Sequence, residues 1–202
     1  MADNPSPRPV RLPPADLGRQ QLPRTRQIAR AWFRVHPRSY RAIFFDLKPA
    51  HRYSHPNCPF PILYAAIDPE TCLWEAFGDA VFDDGHALPK TQWDDLVLSL
   101  IHVPDLHLCD LSKTTTRGAL TVDLAALMNE DLGVPQQWGL AIQMHPSQVP
   151  AIKYRSRFTG HACLAVFDRG GIRQHLRETS LGSLSQFDPA LAWLTKHQVT
   201  LA

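Results

Sequence analysis

Two arginines and one glutamate are the first candidates for chemistry in this sequence. Arg34 follows an aromatic pair, and Arg52 is followed by Tyr53. Guanidinium groups bind phosphate through two parallel hydrogen bonds, and a neighbouring aromatic ring can stack on a planar base. Glu75 falls on a predicted helix, away from the apolar stripe of that helix. Its carboxylate is therefore either solvated or placed in a cleft. Taken singly, each of Arg34, Arg52 and Glu75 is more easily explained as a surface residue.

Tyr64 and Ser156 are the second pair of candidates. Tyr64 interrupts the apolar segment 62–67, so its ring either belongs to the core or lines a pocket. Ser156 stands between Arg155 and Arg157 at the end of a predicted strand. Its hydroxyl suits a hydrogen bond to phosphate or ribose, and equally suits a turn cap.

Several familiar sites are excluded by the sequence. His51, His55 and Cys58 have metal-like spacing, but the prolines that follow argue against a helix there and no second ligand pair follows. We therefore predict no metal site. The sequence contains no G-x-G-x-x-G, Walker or G-x-S-x-G motif, so a Rossmann cofactor site and a serine hydrolase have no support.

Composition describes an ordinary globular chain of 202 residues with a formal net charge of +2. That charge is too small to predict direct binding to nucleic acid. The four cysteines are widely spaced, which suits free thiols in a reducing cytoplasm. The sequence contains no run of about 18 apolar residues, so no membrane span is predicted. The first residues do not resemble a signal peptide. We expect a cytoplasmic protein with no membrane partner.

The chain divides into a short leader and one domain. Residues 1–24 contain six prolines, and arginine is enriched from residue 8 to residue 41. Because proline removes a backbone donor, we expect 1–24 to be an extended or disordered, basic leader. Residues 25–202 are then a single catalytic domain.

Hydrophobic spacing and capping residues predict a mixture of helices and strands. Asp68-Pro69-Glu70 is a typical helix start and predicts a helix to about Phe82. Asp188-Pro189 predicts a final helix in the same way. Further helices are predicted over 27–33, 121–131 and 135–145. Strands are predicted over 42–45, 62–67, 96–103, 106–111, 151–154 and 162–167, with a loop over 51–61. This mixture predicts a mixed α/β or α+β domain.

The order of these short motifs resembles the RES-domain family, named after an arginine, a glutamate and a serine. The matching segments are Phe33-Arg34-Val35, Arg52-Tyr53, Leu63-Tyr64-Ala65-Ala66, Glu75, and Tyr154-Arg155-Ser156-Arg157. The resemblance covers roughly residues 27–170. The sequence departs from the family at Ala50-His51, where glycines are usual.

The resemblance implies both a fold and an activity. The fold is ADP-ribosyltransferase-like, α+β, with a split and mainly antiparallel β core and flanking helices. Characterised members consume NAD⁺ by hydrolysis or phosphorolysis, and many are toxins of toxin–antitoxin pairs. Their usual partner is a helical antitoxin with a DNA-binding domain, and members often form homodimers.

The resemblance also implies roles for the candidate residues. Glu75 would stabilise the positive charge that develops on ribose as neutral nicotinamide departs. Arg34 and Arg52 would hold the diphosphate, Tyr64 would pack against nicotinamide or ribose, and Ser156 would bind phosphate or ribose. Glu75, Arg34 and Ser156 form the expected catalytic set. NAD⁺ is a consumed substrate in this scheme, so no cofactor or metal is expected.

Two alternatives remain open from the sequence. The same bond cleavage would make the protein an ADP-ribosyltransferase if the acceptor were a macromolecule. A non-catalytic binding module would instead use the basic leader to dock on a nucleic acid or an acidic protein. Convergence of the five candidate residues in one cleft would favour an enzyme, and scattered positions would favour the module.

Overall fold

A computed structural model describes residues 11–83 and 85–202 of the chain. The strands in these residues are β1 (Thr25–Gln27), β2 (Arg30–Pro37), β3 (Ile62–Ala66), β4 (Ala87–Leu88), β5 (Leu96–Val103), β6 (Leu106–Asp110), β7 (Ala151–Arg155), β8 (Ala162–Phe167), β9 (Arg177–Ser183) and β10 (Thr200–Leu201). The α-helices are α1 (Pro69–Asp83), α2 (Lys90–Asp94), α3 (Thr114–Leu120), α4 (Leu124–Met128), α5 (Gly133–Met144), α6 (Ile172–His175) and α7 (Asp188–Lys196).

One large sheet forms the centre of the domain. Eight strands follow the order β1-β6-β7-β8-β3-β2-β5-β9, and β4 and β10 form a separate pair. Within the large sheet only β6 and β7 run parallel. The predicted α+β fold with a mainly antiparallel core and flanking helices is confirmed.

The sheet is split between β2 and β3. Strand β2 pairs with β5 over its whole length, from Arg30 opposite Val103 to Pro37 opposite Leu96. Its register with β3, in contrast, consists of the single pair Phe33 and Ala66. The two strands separate beyond that pair, so a gap opens in the middle of the sheet.

Apolar side chains pack on both faces of this sheet. One face is covered by α1, α5 and α7, whose buried residues include Leu73, Trp138 and Trp193. The other face carries a smaller cluster that includes Trp32 and Leu164. Strand β3 is buried on both faces, which explains its nearly continuous apolar sequence.

The unit formed by β3 and α1 agrees closely with the prediction from the sequence. The strand ends at Ala66, and α1 begins at Pro69 and ends at Asp83. The backbone N–H of Thr71 donates to the Asp68 carboxylate over 2.7 Å, so Asp68 caps the helix as predicted. The helix predicted from Asp188-Pro189 is present as α7, but the predicted cap is wrong, since Asp188 is already helical and no side chain caps the helix at Phe187.

Two predicted elements near the start of the chain are wrong. Residues 27–33 are not helical but contribute to β1 and β2, because pairing with β6 and β5 outweighs the helix propensity of Gln, Ala and Arg. Residues 42–45 are not a strand. Ala42 and Phe45 are nevertheless buried in the smaller cluster, which accounts for their apolar character.

Three further differences concern polar or proline-containing segments. The helix predicted over 121–131 is reduced to α4 and is preceded by α3, which was not predicted, because Thr121 ends α3 in a left-handed conformation with φ of 52° and Asp123 caps a new helix. Strand β9 lies at the sheet edge and was not predicted, since its sequence is largely polar. Residues 11–24 of the leader predicted to be extended or disordered have largely irregular backbone and pack on the domain, where Leu17 and Leu22 are buried. Residues 1–10 lie outside the described part.

Candidate functional site

The gap between β2 and β3 opens into a cavity of about 570 Å³. Four of the five candidate residues line it, namely Arg34, Arg52, Tyr64 and Glu75. Ser156 is not among the lining residues, but its hydroxyl contacts Glu75. The split that interrupts the backbone hydrogen bonding of the sheet therefore brings together side chains that are distant in sequence.

Glu75 projects from α1, and its carboxylate is held by Ser156. The hydroxyl of Ser156 donates to Oε1 of Glu75 over 2.7 Å. Glu75 remains accessible through the open cavity, yet its carboxylate is crowded by surrounding protein atoms. Burial accordingly raises the pKa of Glu75, while the hydrogen bond from Ser156 and the charges of Arg52 and Arg157 oppose that rise. The carboxylate is therefore fixed in position and open to a ligand in the cavity.

Ser156 is a support for Glu75 rather than a group that reaches into the cavity. Its side chain is fully buried. Besides donating to Glu75, its oxygen accepts the backbone N–H groups of Phe158 and Thr159 over 3.2 and 3.3 Å. Because these contacts occupy the hydroxyl, the expected hydrogen bond from Ser156 to phosphate or ribose does not fit the structure.

The turn that follows β7, residues 156–161, is called the Ser156 turn below. Its backbone closes on itself, since Ser156 N donates to His161 O over 2.8 Å and Gly160 N donates to Ser156 O over 2.9 Å. The Phe158 ring lies against Gly78 of α1, where a Cβ atom would stand 2.5 Å from the ring. The glycine lets the turn approach the helix closely enough for Ser156 to reach Glu75.

Arg34 extends from β2 across the split. Its Nη1 lies 3.4 Å from the carbonyl oxygen of Tyr64, a backbone group that lacks a strand partner on this side. Burial lowers the pKa of Arg34 to about 10, against the opposing effects of Cys72 and Asp46, so the guanidinium stays charged at neutral pH. Arg34 thus presents a weakly solvated positive charge to the cavity.

Arg52 enters the cavity from the segment 47–61, called the Arg52 loop below. Nη1 of Arg52 donates to the carbonyl oxygens of Leu127 and Asn129 over 2.6 and 2.8 Å, at the end of α4. Among the described residues, no hydrogen bond engages Nε or Nη2 of Arg52. One part of the guanidinium is therefore structural, and the rest can still donate to a ligand.

Tyr64 connects β3 to the Arg52 loop. Its hydroxyl accepts the backbone N–H of Tyr53 over 3.1 Å and lies 2.9 Å from Oγ of Ser54. Its ring lies 5.1 Å from the imidazole of His51. Burial raises the pKa of Tyr64. The hydroxyl is thus committed to the loop, and the ring is the part that lines the cavity.

Sequence reasoning assigned no role to several residues of this site. Tyr154 lies in the wall behind Glu75, and Arg157 forms ion pairs with Asp79 and Glu130. Both belong to the Tyr154–Arg157 motif, which was the signal that could have identified them. Tyr40 and Phe44 line the cavity with rings 5.0 Å apart and remain about half exposed. They belong to an irregular segment, and no pattern in the sequence distinguishes them.

The cavity wall also contains a cysteine. Cys72 lines the cavity, but burial raises the pKa of its thiol to about 12, which disfavours the nucleophilic thiolate. All four cysteines are buried free thiols, as predicted. Within residues 11–83 and 85–202, no cluster of three or more His, Cys, Asp or Glu side chains has the arrangement of a metal site.

No helix in the described residues is both long enough and apolar enough to cross a lipid bilayer.

Comparisons with known proteins identify the family of the sequence and agree with the fold. The sequence model of the RES domain matches residues 21–183. A chain in the crystal structure of the M. tuberculosis MbcT–MbcA toxin–antitoxin complex superimposes with a TM-score of 0.61 at 17% sequence identity. The alignment covers 85% of this chain and 90% of that chain, and shows a shared fold. No curated protein matches the sequence.

Proposed function

The chain belongs to the RES-domain family, and from that premise we propose that it consumes NAD⁺ by breaking the bond between nicotinamide and ribose. The observation that carries the proposal is the arrangement of Glu75, Arg34 and Arg52 around one cavity. A carboxylate beside two guanidinium groups complements a ligand with a cationic end and a diphosphate. NAD⁺ has both features.

The proposed reaction requires little proton transfer at the departing ring. The bond between the anomeric carbon and the pyridinium nitrogen breaks, and its electron pair stays with nicotinamide, which leaves as a neutral molecule. The ribose carbon then carries developing positive charge. Glu75 stabilises that charge, and it does so more strongly in a poorly hydrated cavity than in water.

The arginines act on the other half of the substrate. Arg34 and the unengaged nitrogens of Arg52 hold the diphosphate, which fixes the ribose next to Glu75. The ring of Tyr64 supplies an apolar wall for nicotinamide or ribose. Ser156 keeps the Glu75 carboxylate in place from behind. NAD⁺ is the substrate throughout, so the proposal requires no resident cofactor or metal.

Water or inorganic phosphate completes the proposed reaction. The oxygen of the acceptor forms the new bond to the anomeric carbon, and water loses a proton to solvent in this step. Incubation of the purified protein with NAD⁺, followed by mass spectrometry of the products, tests the proposal. ADP-ribose indicates hydrolysis, a phosphorylated ADP-ribose formed only in phosphate buffer indicates phosphorolysis, and a labelled macromolecule indicates ADP-ribosyl transfer. Intact NAD⁺ at high enzyme concentration would contradict the proposal and favour a binding module.

We further propose that the protein is the toxin of a toxin–antitoxin pair and acts in the cytoplasm. Support comes from the fold shared with a chain of the MbcT–MbcA toxin–antitoxin complex. The proposed partner is a helical antitoxin with a DNA-binding domain, and homodimer formation stays a prediction. Induced expression in bacteria should stop growth and lower cellular NAD⁺, whereas the Glu75→Gln protein should do neither. Normal growth with depleted NAD⁺ would argue against the toxin role alone.

A further inference from the structure

The local sequence of the Arg52 loop does not by itself determine the conformation of the loop. Residues 47–61 contain four prolines and no glycine, and contain no helix or strand. A loop of this length needs external contacts to hold one conformation. Arg52 and His51, which line the cavity, both belong to it.

Helix α5 supplies these contacts along one face. Nε2 of Gln136 donates to the carbonyl oxygens of Pro49 and His51 over 2.9 and 3.2 Å. Oε1 of Gln143 accepts the backbone N–H of Phe60 over 3.2 Å. These two glutamines lie seven residues apart, which places them on the same face of a helix. The loop therefore follows the helix from its first half to its last turn.

Gly139 lies between the two glutamines and touches the loop next to Arg52. A Cβ atom at this position would stand 2.4 Å from the carbonyl oxygen of Tyr53 and 2.9 Å from its Cα atom. Both neighbours are backbone atoms, so they can give way only if the loop moves. The approach is closer than any other residue type allows, although glycine in the middle of a helix is otherwise unfavourable.

The opposite side of the loop leaves no room for such a movement. The backbone N–H of Tyr53 donates to the Tyr64 hydroxyl, and the Tyr53 ring is fully buried 4.9 Å from the ring of Tyr154. Arg52 is held by the carbonyl oxygens of Leu127 and Asn129. Tyr53 is thus confined between α5 and the cavity wall, and a shift of Tyr53 must displace Arg52 as well.

We propose that Gln136 and Gly139 are positioning residues of the NAD⁺ site, and that they act through the Arg52 loop. This inference rests on the proposed function. Helix α5 serves as a rigid template for a segment whose own backbone hydrogen bonds are limited to short turns, and it places the Arg52 guanidinium where the diphosphate binds. Neither residue touches the cavity itself.

Gly139→Ala is the most direct test, with Gly118→Ala as its matched control. Gly118 also lies in a helix, but a Cβ atom there would meet nothing within 4 Å. Gly139→Ala should raise the KM for NAD⁺ on the order of tenfold to a hundredfold, with a smaller change in kcat, since binding geometry is disturbed and Glu75 is not. Hydrogen–deuterium exchange should rise in peptides covering 47–61. Gly118→Ala should change neither the KM for NAD⁺ nor the exchange of residues 47–61.

Gln136→Met provides a second test should Gly139→Ala fail to fold. It keeps the volume of the side chain but removes both donors. The matched control is Gln137→Met, because Gln137 is exposed and contacts only the His55 ring of this loop. Gln136→Met should raise KM and loop exchange in the same direction as Gly139→Ala, by a smaller factor.

The outcomes separate this inference from the proposed function. Unchanged exchange in 47–61 for both test variants would overturn the templating role, and increased exchange with an unchanged KM would overturn the positioning role. A wild-type protein that leaves NAD⁺ intact, with exchange increased only in the test variants, would overturn the proposed function and the positioning of an NAD⁺ site while the templating by α5 stands.

Discussion

The Arg52 loop and the Ser156 turn both bring a residue to the site from irregular backbone, but they differ in how far they depend on other parts of the fold. The Ser156 turn closes through hydrogen bonds within residues 156–161. The Arg52 loop depends on α5, on the end of α4 and on Tyr64. Each also packs against a helix glycine, Gly78 for the turn and Gly139 for the loop.

This difference separates two kinds of information in a sequence. A short turn with Ser and Gly at fixed offsets adopts its conformation largely through local hydrogen bonds and backbone preferences. A loop with prolines but no glycine has few such local preferences. Residues about 80 positions later in the chain determine its shape. Damage to the turn should therefore affect Glu75 and the stability of the turn itself, whereas damage to the loop should affect substrate binding as well as stability.

The largest effect is expected at the carboxylate itself. Glu75→Gln keeps the shape of the side chain but removes the charge that would stabilise the ribose cation. We expect NAD⁺ turnover to fall on the order of 10²–10³-fold with the fold retained. Glu70→Gln, on the same helix but paired at the surface with Lys196, is the control. Turnover within a factor of two of the wild type would remove Glu75 from the mechanism.

Substitution of Arg34 and of Arg52 should affect substrate binding and the free energy of unfolding in different proportions. In the proposed function each would donate charge-assisted hydrogen bonds to the diphosphate, so Arg34→Met and Arg52→Met should each raise KM about 10- to 100-fold. Arg52→Met additionally leaves the carbonyl oxygens of Leu127 and Asn129 without their donor, which should lower the free energy of unfolding by about 1–3 kcal/mol.

Steady-state kinetics and urea unfolding of both arginine variants measure this division. Arg19→Met, which removes an exposed arginine remote from the cavity, controls for the loss of charge. Equal stability losses in Arg34→Met and Arg52→Met would show that the loop does not depend on the end of α4.

Ser156→Ala should produce a smaller and more local defect. Removal of the hydroxyl takes away a hydrogen bond that lowers the pKa of Glu75, so that pKa should rise further. Because the proposed reaction uses Glu75 in its charged form, the acidic limb of the pH profile of kcat should move to higher pH, and kcat near neutrality should fall about tenfold. The lost acceptor for Phe158 and Thr159 should cost about 1–3 kcal/mol of stability.

The profile of kcat from pH 4 to pH 9 tests this expectation, with Ser180→Ala on the edge strand β9 as the control. An unshifted acidic limb in the Ser156→Ala protein would mean that the serine is only a structural part of the turn. Hydrogen exchange over 47–61 should stay unchanged, because the Arg52 loop does not depend on this turn.

The smallest expected effect is a pH-dependent gain in stability in the Glu75→Gln protein. Since burial raises the pKa of Glu75, the folded state retains a proton at pH values where the unfolded chain has released it. The stability contributed by this group is present at low pH and is lost as the pH rises through the folded pKa. Glu75→Gln should therefore melt at a higher temperature than the wild type at pH 8, and the difference should close below about pH 4. Equal melting temperatures throughout would contradict the burial of the charge.

Much of the site was accessible from sequence wherever local rules apply. The Asp68 cap, the apolar strand β3 and the stripe of α1 placed Glu75 correctly on a helix that follows Tyr64. The family resemblance selected the five candidate residues. The turn-cap alternative for Ser156 fits its hydrogen bonds to Phe158 and Thr159, but its contact with Glu75, 81 positions earlier, was missed because no local pattern reveals it.

The sequence alone determined the β3–α1 unit, the chemistry-bearing side chains and the mixed α+β class, because caps, turns and hydrophobic periodicity act over a few residues. Only the tertiary structure decided that residues 30–37 form a strand, that this strand diverges from β3 after one pair, and that the resulting cavity is lined by Arg34, Arg52 and Glu75. Strand pairing and the fit of the Arg52 loop to Gly139 are long-range contacts. Their free energy appears only when distant segments meet, so it leaves no periodic signal along the chain.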